Sequence, residues 1–191
     1  EVAFLLIEGE FPEKRPSEFS SFISNINQAR QLPMHVRDLL ISLPATTHPT
    51  RLLRAGISAV GCFEMKDIDD YTDGSQWQDV RLIGQMAEIV ALIAAHRRGE
   101  SKVNFERQGS LANLILTALN KEKPRPQHEK LLNIVWTAYA DNGLDAPTFT
   151  SMIVGSCHAD PYYNIVAGLS ALRGPYLGGA GERLLVQIGK L

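Results

Sequence analysis

The sequence predicts an all-α protein, and two observations carry that expectation. Apolar residues recur at helical spacing along most of the chain, while strand-like alternation and Asn-Gly or Asp-Gly hairpin signals are almost absent. Prolines and short polar residues stand where the apolar runs begin. At 191 residues, 45% apolar and 21% charged, the chain is long enough for a single helical domain with a real core.

Residues 2–8 are apolar and read as a short helix ended by Gly9 and Pro12. Ser17 is the expected cap of the next helix, with Glu18 in its first turn and Phe19, Phe22, Ile23 and Ile26 as its stripe. Pro33 marks a helix start ahead of Val36, Leu39 and Leu40, and Pro49 opens a helix that turns Leu52, Leu53, Ile57 and Val60 inward. Residues 64–75 form an acidic stretch. Its Asp67, Asp69, Asp70 and Asp73 lack the calcium-loop spacing and the bidentate Glu, so they read as a solvated loop.

A long helix is expected from about Gln76 to Arg98. Trp77, Val80, Ile83, Met86, Ile89, Val90 and Ile93 cover more than one of its faces, so it should be central and largely buried. The loop at 99–109 is polar, and Ser110 to Leu119 is a short helix. After the charged, proline-broken 121–126 comes a helix from Gln127 to Ala140 with Leu131, Leu132, Val135 and Trp136 inward. Asp145 with Pro147, and Asp160 with Pro161, repeat a cap-plus-proline start. The second of these helices carries Ile165, Val166, Ala167, Gly168, Leu169 and Ala171, small and branched residues suited to a close helix–helix contact, within or between subunits.

A net charge of −2 without a basic stripe gives no case for nucleic acid, and no run reaches the apolar length of a membrane span. Cys62 and Cys157 lie far apart without metal-ligand spacing and read as buried thiols in a reducing, cytoplasmic compartment. The chain opens on Glu1 and an apolar run, which suggests a piece of a longer protein.

The stretch from Gly174 to Glu182 is the strongest candidate site. Gly174 and Pro175 stop one apolar helix, and Gly178, Gly179 and Gly181 open the next. Such a turn can offer backbone N–H groups to a carboxylate or phosphate at a helix N-terminus. It can equally be a tight turn between closely packed helices.

These residues resemble the citrate synthase and 2-methylcitrate synthase family. Leu5-Leu-Ile-Glu-Gly-Glu-Phe-Pro12 is similar to the family's "LLLxGELP" opening, and Gln31-Leu-Pro-Met-His35 to its "LPxH" turn. His48-Pro49, followed by Leu52, Leu53, Arg54 and Ser58, resembles "HPM…LR…S". The run from Tyr139 to Phe149 occupies the place of "HADHxxNxSTF". Asp160-Pro-Tyr162 and Ala171-Leu-Arg-Gly-Pro-Tyr-Leu-Gly-Gly-Ala180 occupy that of "SDxYSA…ALKGPLHGGAN". The resemblance implies a helical large-domain scaffold, a homodimer, and an acyl-CoA with oxaloacetate or another 2-oxo acid as substrates, with no cofactor or metal. It also implies that 1–191 is only part of the large domain. The small domain, the arginines that hold oxaloacetate and the aspartate base would lie outside it, on further sequence or on a partner chain.

The same resemblance exposes departures at the chemistry. The family's "GPLHGG" histidine, which acts on the thioester oxygen, aligns with Leu177, and the two histidines of "HADH" align with Tyr139 and Asn142. Leucine offers no donor or acceptor, and loss of one oxyanion donor typically costs about a hundred- to a thousandfold in rate. A one-residue shift would place Tyr176 there at the expense of the spacing to Gly178 and Gly179. Asp145 replaces a family Asn; it would repel a dianion, or simply cap a helix. Pro147 replaces a family Ser, and Gly181 a family Asn. His35, His48, His96, His128 and His158 are scattered and read as surface or turn residues. No catalytic residue is assigned. The expected ligand-facing positions are Tyr139, Asn142, Leu177, Gly178 and Gly179. The expectation is a family member impaired in catalysis on its own, acting as a partner or ligand-binding subunit. The alternatives are an active synthase completed by other sequence, and a helical interaction protein without a small-molecule site.

Overall fold

Proline punctuates the helices, because its fixed φ and missing N–H suit the first turn and little else. A computed structural model of the chain describes residues 1–64, 76–100, 109–141 and 143–189, apart from the side chains of 76–78, 181, 184, 185 and 188. The acidic stretch after Glu64, the side chain of Trp77, most of the polar loop at 99–109, and Asn142 therefore lie outside what is described. Among the described residues there are ten α-helices, one 3₁₀ turn (Pro12–Lys14) and no strand. The helices are α1 (Val2–Glu8), α2 (Pro16–Ala29), α3 (Met34–Ser42), α4 (Pro49–Glu64), α5 (Gln76–Arg97), α6 (Leu111–Asn120), α7 (Pro126–Tyr139), α8 (Ala146–Ser156), α9 (Pro161–Leu172) and α10 (Gly178–Ile188). Two compact units result, Glu1–Asn142 and Gly143–Leu191.

In the first unit α5 is the axis, packed by α2, α3, α4 and α6. Val80, Ile89, Ala91, Leu92 and Ala95 are fully buried along it, as its all-round apolar pattern requires. Phe4 meets Phe19 and Phe22 edge-on at 5.3 Å, closing α1 onto α2. Two glycines set the closest approaches. A Cβ on Gly84 would collide with the backbone carbonyl of Ile26 in α2, and one on Gly56 would press on Ile89 at 3.1 Å. The core also holds charge. Glu88 is 4% exposed and accepts from Arg37 Nη1 at 3.0 Å. Arg30, equally buried, donates to the Gly109 carbonyl at 3.0 Å.

In the second unit α8 packs on α9. Gly168 lies against the Ser151 hydroxyl and the Pro147 carbonyl, and Ser151 Oγ donates to the Asn164 carbonyl at 2.9 Å. Of the small residues of α9, Gly168 thus faces a neighbour in the same chain.

Several expectations need correcting. Ser17 is not the cap of α2: Arg15 holds that position, with Pro16 next, and Arg15 pairs with Glu8 and Glu18 instead. Cys62 and Cys157 are exposed, because they fall on an outward face of α4 and at the end of α8. On α7, Leu131 is 61% exposed, and Val135 and Trp136 are also exposed; no residue of this helix is buried. Its apolar stripe is real, but little of this chain covers it.

Candidate functional site

Asp160 caps α9 by accepting the Tyr163 N–H at 3.1 Å, and the helix runs to Leu172 before the glycine-rich turn. The turn is built from its own backbone. The Gly174 N–H bonds to the Ala171 carbonyl, Gly179 N–H to the Gly174 carbonyl at 3.3 Å, and Ala180 N–H to the Leu177 carbonyl at 3.2 Å. Arg183 reaches back from α10 to the Pro175 carbonyl at 2.7 Å. Gly178 is required sterically, since a Cβ there would collide with the Leu172 carbonyl. Close packing of the end of α9 against the start of α10 accounts for this glycine, and the amides of Gly179 and Ala180 are engaged inside the turn. Leu177, Gly178 and Gly179 lie together on this turn. Leu177 is 37% exposed and Tyr176 is 95% exposed.

Tyr139 is the last residue of α7 in the first unit and is 80% exposed. Asp145 accepts the Thr148 N–H at 2.9 Å, a direct N-cap. Its carboxylate is therefore tied to the start of α8. Three of the histidines make a local contact. His35 stacks on Phe63 at 5.7 Å; His48 Nδ1 accepts the Thr50 N–H; His96 Nε2 lies 2.8 Å from the Leu43 carbonyl. His128 is exposed, and His158 takes a left-handed φ of 57° in the turn after α8. Among the described residues no group of His, Cys, Asp and Glu is arranged to hold a metal ion. No helix there is long and apolar enough to cross a membrane. An apolar groove of about 580 Å³ in the first unit, bordered by Phe22, Ile26, Ile83, Leu111 and Trp136, includes none of the expected positions. The pair of half-buried Arg37 with buried Glu88 was not legible in the sequence, because the two residues are far apart in the chain and neither lies in a recognisable motif.

A helical domain whose α9–α10 turn is closed by glycines defines a class before it defines a chemistry. The sequence model of the family described as "Citrate synthase, C-terminal domain" matches residues 1–191, and the chain belongs to the citrate synthase family. It is 29% identical over 185 residues to the citrate synthase of Synechocystis, covering 97% of this chain and 46% of that protein. It is 26% identical over 183 residues to the 2-methylcitrate synthase of Shewanella oneidensis, covering 95% and 48%. The chain thus spans about half the length of the curated relatives it matches. Among solved structures it superposes on citrate synthase from Thermoplasma acidophilum with a TM-score of 0.85 at 23% identity, over 98% of this chain and 48% of that one. That protein was solved as a ternary complex with carboxymethyl coenzyme A and oxaloacetate. Citrate synthase from Pyrobaculum aerophilum matches with a TM-score of 0.82 at 25% identity, over 99% and 49%.

Proposed function

We propose that this chain keeps the citrate synthase scaffold as a ligand-binding and partner half, and that it does not by itself carry out condensation of an acyl-CoA with a 2-oxo acid. The observation that carries this reading is the leucine at 177, on the turn where the family resemblance puts a histidine. Its side chain can neither donate a proton nor stabilise an oxyanion. Tyr139 and Asn142 stand at the other two imidazole positions; both can hydrogen-bond, and neither offers an imidazole. Tyr139, Asn142, Leu177, Gly178 and Gly179 are the positions we assign to ligand contact, with no metal or cofactor.

The partner is a second copy of this chain or a chain carrying the remainder of the family's architecture. Supporting this, large apolar side chains stand exposed on α7 (Leu131, Ile134, Val135) and on α8 and α9 (Phe149, Met152, Ile153, Tyr163). The exposed free thiols of Cys62 and Cys157 support a reducing, cytoplasmic setting. Calorimetric titration with oxaloacetate and with CoA, run beside an assay for CoA release, tests the reading. Heat of binding without turnover is the expected outcome. Absence of binding to both ligands would instead favour a plain helical interaction protein.

A second reading is favoured by the half-length match: an active synthase whose remaining residues come from other sequence. A pair co-purified with its natural partner that releases CoA would establish it, and Leu177 would then need a substitute donor.

A further inference from the structure

We propose that Glu129 is a positioning residue that fixes α7, and Tyr139 at its end, by tying the N-termini of α6 and α7 to one carboxylate. Oε2 accepts from Ser110 Oγ and Oε1 from Asn113 Nδ2, both at 2.8 Å. The same Ser110 hydroxyl accepts the Asn113 backbone N–H at 3.0 Å, so the carboxylate is bonded directly into the cap of α6. The Asn113 side chain is held from behind by Thr117 Oγ1, which donates to its Oδ1 at 3.5 Å. Glu129 itself lies in the first turn of α7. Two helix N-termini, each carrying partial positive charge, therefore converge on a single negative group. The tie matters because α7 buries no residue and so has little apolar packing of its own within this chain. Hydrogen bonds from Asn113 and then Ser110 hold the Glu129 carboxyl below the ordinary carboxylate range, and Lys123 in the connection adds attraction. Of the groups acting on it, α6 supplies neutral Ser110 and Asn113, and the connecting segment supplies Lys123.

The significance for Tyr139 rests on the ligand-contact reading above; the tie itself rests on the distances. Hydrogen exchange followed by mass spectrometry on the whole chain tests it. Glu129→Gln removes the negative charge and one of the two acceptor oxygens, so neither bond remains charge-assisted. In this variant residues 131–139 should exchange roughly fivefold to tenfold faster, with α2 and α5 unchanged. In the wild type the protection of α7, corrected for intrinsic rates, should fall as pH drops below the ordinary carboxyl value of 4.5, whereas the variant should show no such step. With fluorotyrosine incorporated, the Tyr139 line, assigned by its loss in Tyr139→Phe, should shift or broaden in Glu129→Gln. Unchanged α7 exchange, equal acceleration of α2, α5 and α7, or an unmoved Tyr139 line would overturn the proposal. If Glu129→Gln does not fold, Asn113→Ala, which removes one of the two donors and leaves the carboxylate in place, should accelerate α7 exchange in the same way, and unchanged exchange there would overturn the proposal. None of these readouts needs a ligand or turnover, so failure of the functional reading leaves them intact.

Discussion

Leu177 and Gly84 show two ways in which one residue governs this chain. At 177 a side chain without hydrogen-bonding atoms sits 37% exposed on the α9–α10 turn. Restoring an imidazole there is expected to be insufficient, because on the reading proposed above Tyr139 and Asn142 also occupy imidazole positions. Leu177→His should release no CoA above background from acetyl-CoA and oxaloacetate, and measurable condensation by this single variant would refute that. At Gly84 the constraint is steric. A methyl group would meet the Ile26 carbonyl, and backbone cannot rotate aside as a flexible side chain can. Gly84→Ala should destabilise the fold by about 1–3 kcal/mol through overpacking, seen as a lower urea midpoint. An unchanged midpoint would show that α2 and α5 can separate freely.

At the scale of elements, helix ends and helix faces differ in what their residues disclose. Starts were legible where the signal is chemical and local: Asp145 and Asp160 cap α8 and α9 through their own carboxylates, and prolines open α4 and α9, while Pro126, read as part of a connection, opens α7. Ser17 failed because Pro16 and the Arg15 ion pairs claim the start of α2 first. Faces were legible for α5, whose apolar residues encircle it. They were misread for α7, since a stripe says that something covers it and not that the same chain does. Leu131→Glu is therefore expected to shift the protein toward monomer in gel filtration. A wild-type protein that elutes as a stable monomer would contradict the partner reading. The ion pairs around Glu100, which join the C-terminal ends of α5 and α6, are expected to respond to acid. Glu100 bonds to Arg98 and pairs with Lys121 at 2.6 Å, which together pull its carboxyl down to about 2. A depressed carboxyl stabilises the fold fully above its ordinary value of 4.5 and loses that contribution between 4.5 and about 2. Glu100→Gln should flatten acid-induced unfolding across that window, and an unaltered profile would assign the acid response elsewhere.

For the whole molecule, the scaffold was far more legible than the site. Helical periodicity and blocks such as Leu5–Pro12 and Gly174–Ala180 run the length of the chain, and a sequence pattern of that extent constrains a fold strongly. The proposed site rests on a few positions, which a pattern of that extent does not constrain. Arg37–Glu88, which binds α3 to α5, left no trace in the sequence because it joins positions 51 residues apart. The central claim is that a condensing scaffold persists here with its imidazoles replaced. The most direct test is CoA release by the pure protein supplied with acetyl-CoA or propionyl-CoA and oxaloacetate. No release above the blank is expected. Turnover at ordinary enzymatic rates, on the order of 1–1000 per second, would contradict it.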